Sequence, residues 1–207
     1  MANSPASGSS LAAELDPALR ARLAAVIDDG MEVWHRFDRE VRDAAFHPFM
    51  PANYERVLDG LLAIRAPGLR FLEWGSATGV IAILADLVGF EAYGIELDPQ
   101  LVDMSRALAA RHGSRARFAA GSLFPDGYHY LPPDGDTRTG TLGDGVSAYD
   151  ELGLKLADFD VVYGYPWDGE DPVMHDVMRH EGAPGARLLL QSGAHGLRTF
   201  RDGVLQA

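Results

Sequence analysis

Residues 71–79, FLEWGSATG, decide how this chain folds. An apolar run ends directly before Gly75, so a strand is predicted to turn sharply into a helix over the apolar segment 80–88. Gly75 allows the tight turn, and the small side chains of Ser76 and Ala77 let another molecule approach the backbone closely. The first N–H groups and the positive dipole end of such a helix favour a carboxylate or a phosphate. The turn is therefore the predicted binding site.

An acidic residue ends the next predicted strand. The strand covers residues 91–96, EAYGIE, and Glu96 stands about twenty residues after Gly75, where a carboxylate can accept both hydroxyls of a ribose. A dinucleotide fingerprint, G-x-G-x-x-G, would have to begin at Gly75, and it fails at Ala77. Glu73 precedes the first glycine, where an acid suits an ammonium group better than a pyrophosphate. A ligand with both an ammonium and a ribose is S-adenosylmethionine (SAM).

The segment from about Arg70 to Gln191 resembles the class I SAM-dependent methyltransferase superfamily. FLEWGSATG is similar to its first motif, an acid followed by Gly-x-Gly-x-Gly, with Ala77 in place of the middle glycine, and YGIELDP is similar to its second. The resemblance implies SAM as the cofactor. It also implies which residues contact the cofactor. Glu73 would lie at the methionine ammonium, with Gly75, Ser76, Ala77 and Gly79 around the methionine. Glu96 would lie at the ribose and Leu97, Ser122 and Leu123 at the adenine, and Gly164 is a further predicted cofactor contact.

The segment 164–168, GYPWD, follows the fourth predicted strand, where a methyl acceptor would lie. It is loosely similar to the Asn/Asp-Pro-Pro-aromatic motif of amino-group methyltransferases, but a glycine and a tyrosine replace its first two members, so no amino acceptor is assigned. Its two aromatic rings could shelter a cation or stack on a flat acceptor. A tight aromatic turn that only closes the strand explains the same residues equally well. The predicted substrate pocket consists of Tyr54, Tyr165, Pro166, Trp167 and Asp168, and no catalytic residue or metal site is assigned.

Strands alternate with helices along the second part of the chain, which predicts an α/β fold: a Rossmann-like parallel sheet with helices on both faces. Segment 125–146 interrupts the alternation, and a loop of that length is usually functional or disordered. Only residues 192–207 follow Gln191, so the C-terminal antiparallel hairpin that is usual in the superfamily is expected to be absent. Either the sheet stops early, or a partner such as a second copy in a homodimer covers its edge.

Three helices are predicted in the N-terminal part, the first ending at Gly30 and the second at His47-Pro48. We expect residues 11–68 to form a helical extension that packs on the sheet and acts as a lid over the cofactor. Residues 1–10 are expected to be a disordered tail, and residues 69–207 the SAM-binding domain.

The composition limits the partners. The chain has 207 residues, 30 acidic and 18 basic, and a net charge of −12, so its surface repels a phosphate backbone and nucleic acid is not expected. The absence of cysteine excludes a disulfide scaffold, a zinc-thiolate site and a cysteine nucleophile. The apolar stretches are too short to cross a bilayer and no signal peptide opens the sequence, so we expect a cytoplasmic protein without a membrane contact.

These observations predict a SAM-dependent methyltransferase that acts on an unidentified small-molecule or protein acceptor. One alternative is a non-catalytic SAM-binding or assembly protein, which the missing hairpin and the missing polar residue of the fourth motif would suit. The other is a nicotinamide-dependent oxidoreductase on a similar sheet, which Ala77 and Glu73 disfavour.

Overall fold

The computed structural model describes residues 10–41, 50–129, 142–143, 145–167 and 169–206. Within these residues the helices are α1 (Pro17–Val41), α2 (Tyr54–Ile64), α3 (Val80–Leu87), α4 (Pro99–Arg111), α5 (Tyr149–Leu152) and α6 (Asp171–Glu181), with 3-10 turns at Leu11–Glu14 and Leu156–Asp158. The strands are β1 (Arg70–Trp74), β2 (Glu91–Glu96), β3 (Arg117–Ala120), β4 (Val161–Gly164), β5 (Arg187–Ser192), β6 (Gly196–Arg201) and β7 (Val204–Leu205). None of the helices in the described ranges is long and apolar enough to cross a membrane.

The strands form one sheet in the order β3-β2-β1-β4-β5-β6-β7. The first five strands are parallel, with Glu73 of β1 opposite Gly94 of β2 and Tyr163 of β4. The chain moves outward in one direction from β1 to β3 and returns to the other side of β1 with β4. A crevice therefore opens at the carboxyl ends of β1 and β4, which is where ligands bind in open sheets of this type. The predicted Rossmann-like sheet is confirmed.

Side chains alternate between the two faces of the sheet, as the strand period of two requires. Phe71, Tyr163 and Leu189 pack on one face against α1, α2, α3 and α4. Leu72 and Trp74 pack on the other face against α5 and α6, and the indole N–H of Trp74 donates to the Tyr149 hydroxyl at 2.9 Å. Both faces are covered, which explains why the parallel strands are almost continuously apolar.

The first helix does not end at Gly30, so that prediction is wrong. α1 continues through Gly30 to Val41 as one helix. A β-carbon at residue 30 would lie 2.3 Å from Val80 Cγ2, so this glycine allows α1 to approach α3 closely. Residues 1–9 of the expected tail and the expected helix end at His47-Pro48 lie outside the described residues. Ser10, also placed in that tail, donates to Asp59 Oδ1 at 2.8 Å.

The third predicted helix is confirmed as α2. Asn53 Oδ1 caps it by accepting the Arg56 N–H at 3.0 Å. Its predicted apolar stripe is buried: Tyr54, Val57, Leu58, Leu61 and Leu62.

The C-terminal antiparallel strands exist, which corrects the expectation that they are absent. β6 pairs antiparallel with β5 after a turn at residues 193–195, and β7 pairs antiparallel with β6. No helix separates β5 from β6, so the few residues after Gln191 suffice for both strands. A β-carbon at Gly60 would lie 2.4 Å from Leu197 Cδ2, which shows that α2 packs directly on β6. The edge of β5, which the sequence prediction left for a partner, is covered by the same chain.

Candidate functional site

A cavity of about 630 Å³ occupies the crevice, a volume typical of small-molecule sites. Its walls come from the β1–α3 turn, the ends of β2 and β4, the β5–β6 turn and the segment before α2. Of the predicted cofactor residues, those that line it are Glu73, Gly75, Ser76, Ala77, Glu96, Leu97 and Leu123.

The β1–α3 turn has alternating left-handed residues. Gly75, Ala77 and Gly79 have φ values of 64°, 45° and 73°. An alternation of this kind explains the Gly-x-Gly-x-Gly pattern, because only glycine adopts such φ values without a steric penalty. Ala77 carries that penalty, about 1–2 kcal/mol for a residue with a β-carbon. Gly79 does not line the cavity, and a β-carbon there would lie 2.5 Å from the Phe118 ring.

The Glu73 carboxylate caps the N-terminal end of α3. The helix begins after Gly79, which has no side chain to cap it, and Glu73 Oε2 accepts the Ala82 N–H at 2.9 Å instead. Glu73 is buried, and burial together with the nearby Glu96 carboxylate raises its pKa well above the usual range, although the Ala82 N–H opposes the shift. The sequence could not show that one oxygen of Glu73 is engaged by the helix start.

Glu96 connects the β1–α3 turn to the end of β2 through hydrogen bonds. Its Oε2 accepts the Ala77 N–H at 2.8 Å, and its Oε1 accepts the Asp98 N–H at 3.1 Å. Burial raises the pKa of Glu96, against the opposing effect of these backbone N–H groups and that of Leu97. Each carboxylate oxygen has two lone pairs, so acceptor capacity remains for hydroxyl groups in the cavity.

Ser122 has a different part from the one expected. Its Oγ donates to the Gly143 carbonyl at 2.8 Å and accepts the Phe124 N–H at 3.2 Å, and its own N–H donates to the Val146 carbonyl at 2.8 Å. These hydrogen bonds of Ser122 hold the end of the long loop beside β3. Ser122 does not line the cavity, whereas Leu123 does. Residues 130–141 and 144 of that loop lie outside the described residues.

The predicted acceptor residues Tyr54, Tyr165, Pro166 and Trp167 line the cavity, and Asp168 lies outside the described residues. Burial raises the pKa of Tyr54, so its hydroxyl stays protonated at neutral pH. Gly164 does not line the cavity. A β-carbon there would lie 2.7 Å from Met174 Sδ, so Gly164 serves the packing of α6 on β4.

A buried acid that the sequence analysis missed holds the turn after β4. Glu170 Oε2 accepts the Trp167 N–H at 2.8 Å, and Glu170 Oε1 accepts the Leu142 N–H at 3.2 Å. Glu170 thereby connects the aromatic turn to the end of the long loop. The spacing was present in the sequence, since a Glu three residues after a helix-capping residue can accept the N–H of that residue.

A polar end of the cavity was also missed. Ser192 at the end of β5, His195 in the β5–β6 turn and Arg198 of β6 line it, together with Asp171 at the start of α6. These residues could not be placed there because the hairpin was not expected. The available signal for a strand in GLRTFR, residues 196–201, was the pair Thr199 and Phe200, which are residue types enriched in strands.

No family model matches this chain. It is similar to the ribosomal protein L11 methyltransferase of Thermus thermophilus, with 32% identity over 96 residues, which cover 44% of this chain and 38% of the relative. It is also similar to that of Ralstonia pickettii, with 39% identity over 62 residues, 30% of this chain and 21% of the relative. The chain thus spans less than two fifths of the length of these relatives. The predicted resemblance to methyltransferases is confirmed.

Among solved structures, an RNA methyltransferase from Salinibacter ruber in complex with S-adenosyl-L-homocysteine has a TM-score of 0.48 to this chain. The two share 18% sequence identity, and the match covers 68% of this chain and 76% of the other.

Proposed function

We propose that this chain is a SAM-dependent methyltransferase. The observation that carries the proposal is the pair of carboxylates on either side of the left-handed β1–α3 turn, at the crevice where the strand order reverses. Glu73 and Glu96 face one cavity, and the turn between them lets a ligand approach the backbone.

The residues present suit SAM. Glu96 would accept the ribose hydroxyls with its remaining lone pairs, and Leu97 would lie against the adenine. The second oxygen of Glu73 would accept the ammonium, and a bound cation there would lower the pKa of Glu73. Ser76 Oγ is buried beside Gly94 and has no hydrogen-bond partner among the described residues, so it would donate to the methionine carboxylate only after its side chain turns toward the cavity.

When bound, SAM would supply an electrophilic methyl carbon: an acceptor lone pair would bond to that carbon in line with the carbon–sulfur bond, whose electron pair would stay on sulfur as SAH leaves. The protein contributes chiefly by positioning, since holding the acceptor about 3 Å from the methyl carbon can supply most of the rate. Tyr165, Pro166 and Trp167 at the end of β4 are the residues that we assign to this task. The acceptor of the curated relatives is, by their name, a ribosomal protein, and the acceptor of this chain is a protein side chain or a small molecule.

We also propose a narrower lid than the one expected from the sequence. Met50, Ala52 and Tyr54 line the cavity, so the segment before α2 forms its wall. α1 packs instead behind α3 and α4, away from the cavity. The N-terminal extension would thus act through residues 50–54, and α1 would support the domain that begins at residue 69.

Calorimetry with S-adenosylhomocysteine (SAH), SAM and NAD tests the assignment. We expect SAM and SAH to bind and NAD not to bind, because the turn departs from the dinucleotide pattern at Ala77. Binding of NAD without SAM would overturn the proposal. Release of SAH during incubation with SAM and candidate acceptors separates an enzyme from a non-catalytic SAM-binding protein.

A further inference from the structure

The polar end of the cavity is built around Arg198. This residue lies on β6 opposite Leu190 of β5, and one of its terminal nitrogens donates to Asp171 Oδ2 at 2.6 Å. Its guanidinium carbon is 5.5 Å from the centroid of the Phe200 ring. The side chain is 25% exposed and lines the cavity.

The hydrogen bonds of Arg198 are incomplete. Its Nε is buried and has no hydrogen-bond partner among the described residues. The ion pair with Asp171 leaves this donor unsatisfied, and because Nε is buried, a ligand in the cavity would meet the terminal nitrogens of the guanidinium. A guanidinium offers five donors in a planar fork that matches a carboxylate.

The position of Arg198 separates it from the cofactor residues. Glu96 ends β2 and Ser192 ends β5, and β1 and β4 lie between these strands. Three strand spacings correspond to about 14 Å. The β1–β2 half of the cavity holds the residues that we assign to SAM, so Arg198 on β6 lies on the side of the acceptor, with Tyr165 and Trp167 between.

This end of the cavity is less acidic than the SAM half, because Asp171, which also lines it, is paired with Arg198. Arg198 is the arginine that lines the cavity within the described part of the chain, whereas the SAM half carries Glu73 and Glu96. Bound SAM brings a sulfonium, which attracts an anionic group on the acceptor. Ser192 and His195 stand beside Arg198, and the Ser192 hydroxyl accepts the His195 N–H at 3.1 Å, which orders the β5–β6 turn.

We propose that the methyl acceptor is a small molecule with a carboxylate, which Arg198 binds at the β5–β6 end of the cavity. This inference rests on the proposed function. The aromatic turn after β4 would hold the body of the acceptor, and Arg198 would orient it toward the methyl group.

Paired fragments test the proposal. Binding of benzoate, phenylacetate and indole-3-acetate, and of the three matching amides, is measured by saturation-transfer NMR and calorimetry with the full chain saturated with SAH. We expect at least one carboxylate to bind ten times more tightly than its amide. Arg198→Gln should remove this preference. Arg201→Gln should keep it, because Arg201 lies exposed on the same strand outside the cavity.

The outcomes separate the two proposals. Failure of SAH to bind rejects the proposed function. Binding of SAH without any preference for carboxylates rejects this inference alone, as does a preference that survives in Arg198→Gln. In either case the role of Arg198 is to connect β6 to α6 through its ion pair with Asp171. Equal methylation of purified ribosomal protein L11 by the wild type and by Arg198→Gln also rejects it in favour of a protein acceptor. If Arg198→Gln does not fold, Arg198→Lys serves instead, since lysine keeps the charge, lacks the planar fork and should reduce the preference.

Discussion

Replacing Glu96 with alanine is expected to weaken SAH binding roughly ten- to a hundredfold. The carboxylate would accept two ribose hydroxyls, and hydrogen bonds to a charged group contribute about 1.5–3 kcal/mol. Each factor of ten in Kd corresponds to about 1.4 kcal/mol. Calorimetry with SAH measures this loss directly.

The same substitution should also destabilise the unliganded protein. From the sequence alone Glu96 has no partner, which predicts little change in Tm. In the structure the Glu96 carboxylate accepts the N–H groups of Ala77 and Asp98. Losing two bonds of about 0.5–1.5 kcal/mol each removes about 1–3 kcal/mol, and at about 2–4 °C per kcal/mol in a chain of this size we expect Tm to fall by roughly 5 °C.

A matched control lies at the other end of the same strand. Glu91 begins β2, is exposed, and pairs with Arg70 and Arg117 away from the cavity. Glu91→Ala should leave the Kd of SAH unchanged. An SAH affinity of folded Glu96→Ala within twofold of the wild type would refute the ribose contact, and with it the central argument for a SAM site.

Three further substitutions follow from the geometry. Burial raises the pKa of Glu73 above 4.5, so the folded state keeps a proton that the unfolded chain releases. The contribution of Glu73 to stability therefore falls as the pH rises from about 4.5 through the folded pKa. Glu73→Gln can still accept the Ala82 N–H and should flatten this decline in Tm with pH, whereas identical pH profiles of Tm in the two proteins would contradict the shift. Ala77→Gly relieves a left-handed φ and should raise the unfolding free energy by about 0.5–1 kcal/mol, measured by urea denaturation, whereas a decrease would contradict the strain. In an isolated helix Gly30→Ala would increase helix stability by about 1 kcal/mol. In this protein the new β-carbon would clash with Val80, so we expect thermal melts to show a lower Tm. A higher Tm would disprove the close contact.

Much of the fold follows from local cues in the sequence. The pair Asp98-Pro99 predicts the start of α4, and Asp98 Oδ1 does accept the Gln100 N–H at the helix cap. The apolar stripe of α2 and the five parallel strands can also be predicted from the sequence, because the helix and strand periods determine the spacing of apolar residues that are close in the chain. Gly75 and Gly79 likewise reveal the turn, since glycine adopts left-handed φ values freely, whereas the left-handed φ of Ala77 is imposed by the turn.

Contacts between distant residues were decided only by the tertiary structure. Gly30 looks like a helix end in the sequence, yet its role is to admit Val80, fifty residues away along the chain. Glu73 looks like a ligand for a cation, yet one of its oxygens caps α3, because Gly79 has no side chain to do so. Arg198 carries no local signal of a site, and it reaches the cavity only because the chain reverses directly after β5 and brings β6 to the same edge. Sequence patterns record how each segment meets its own neighbours, whereas the partner of a buried polar group is set by how the segments pack.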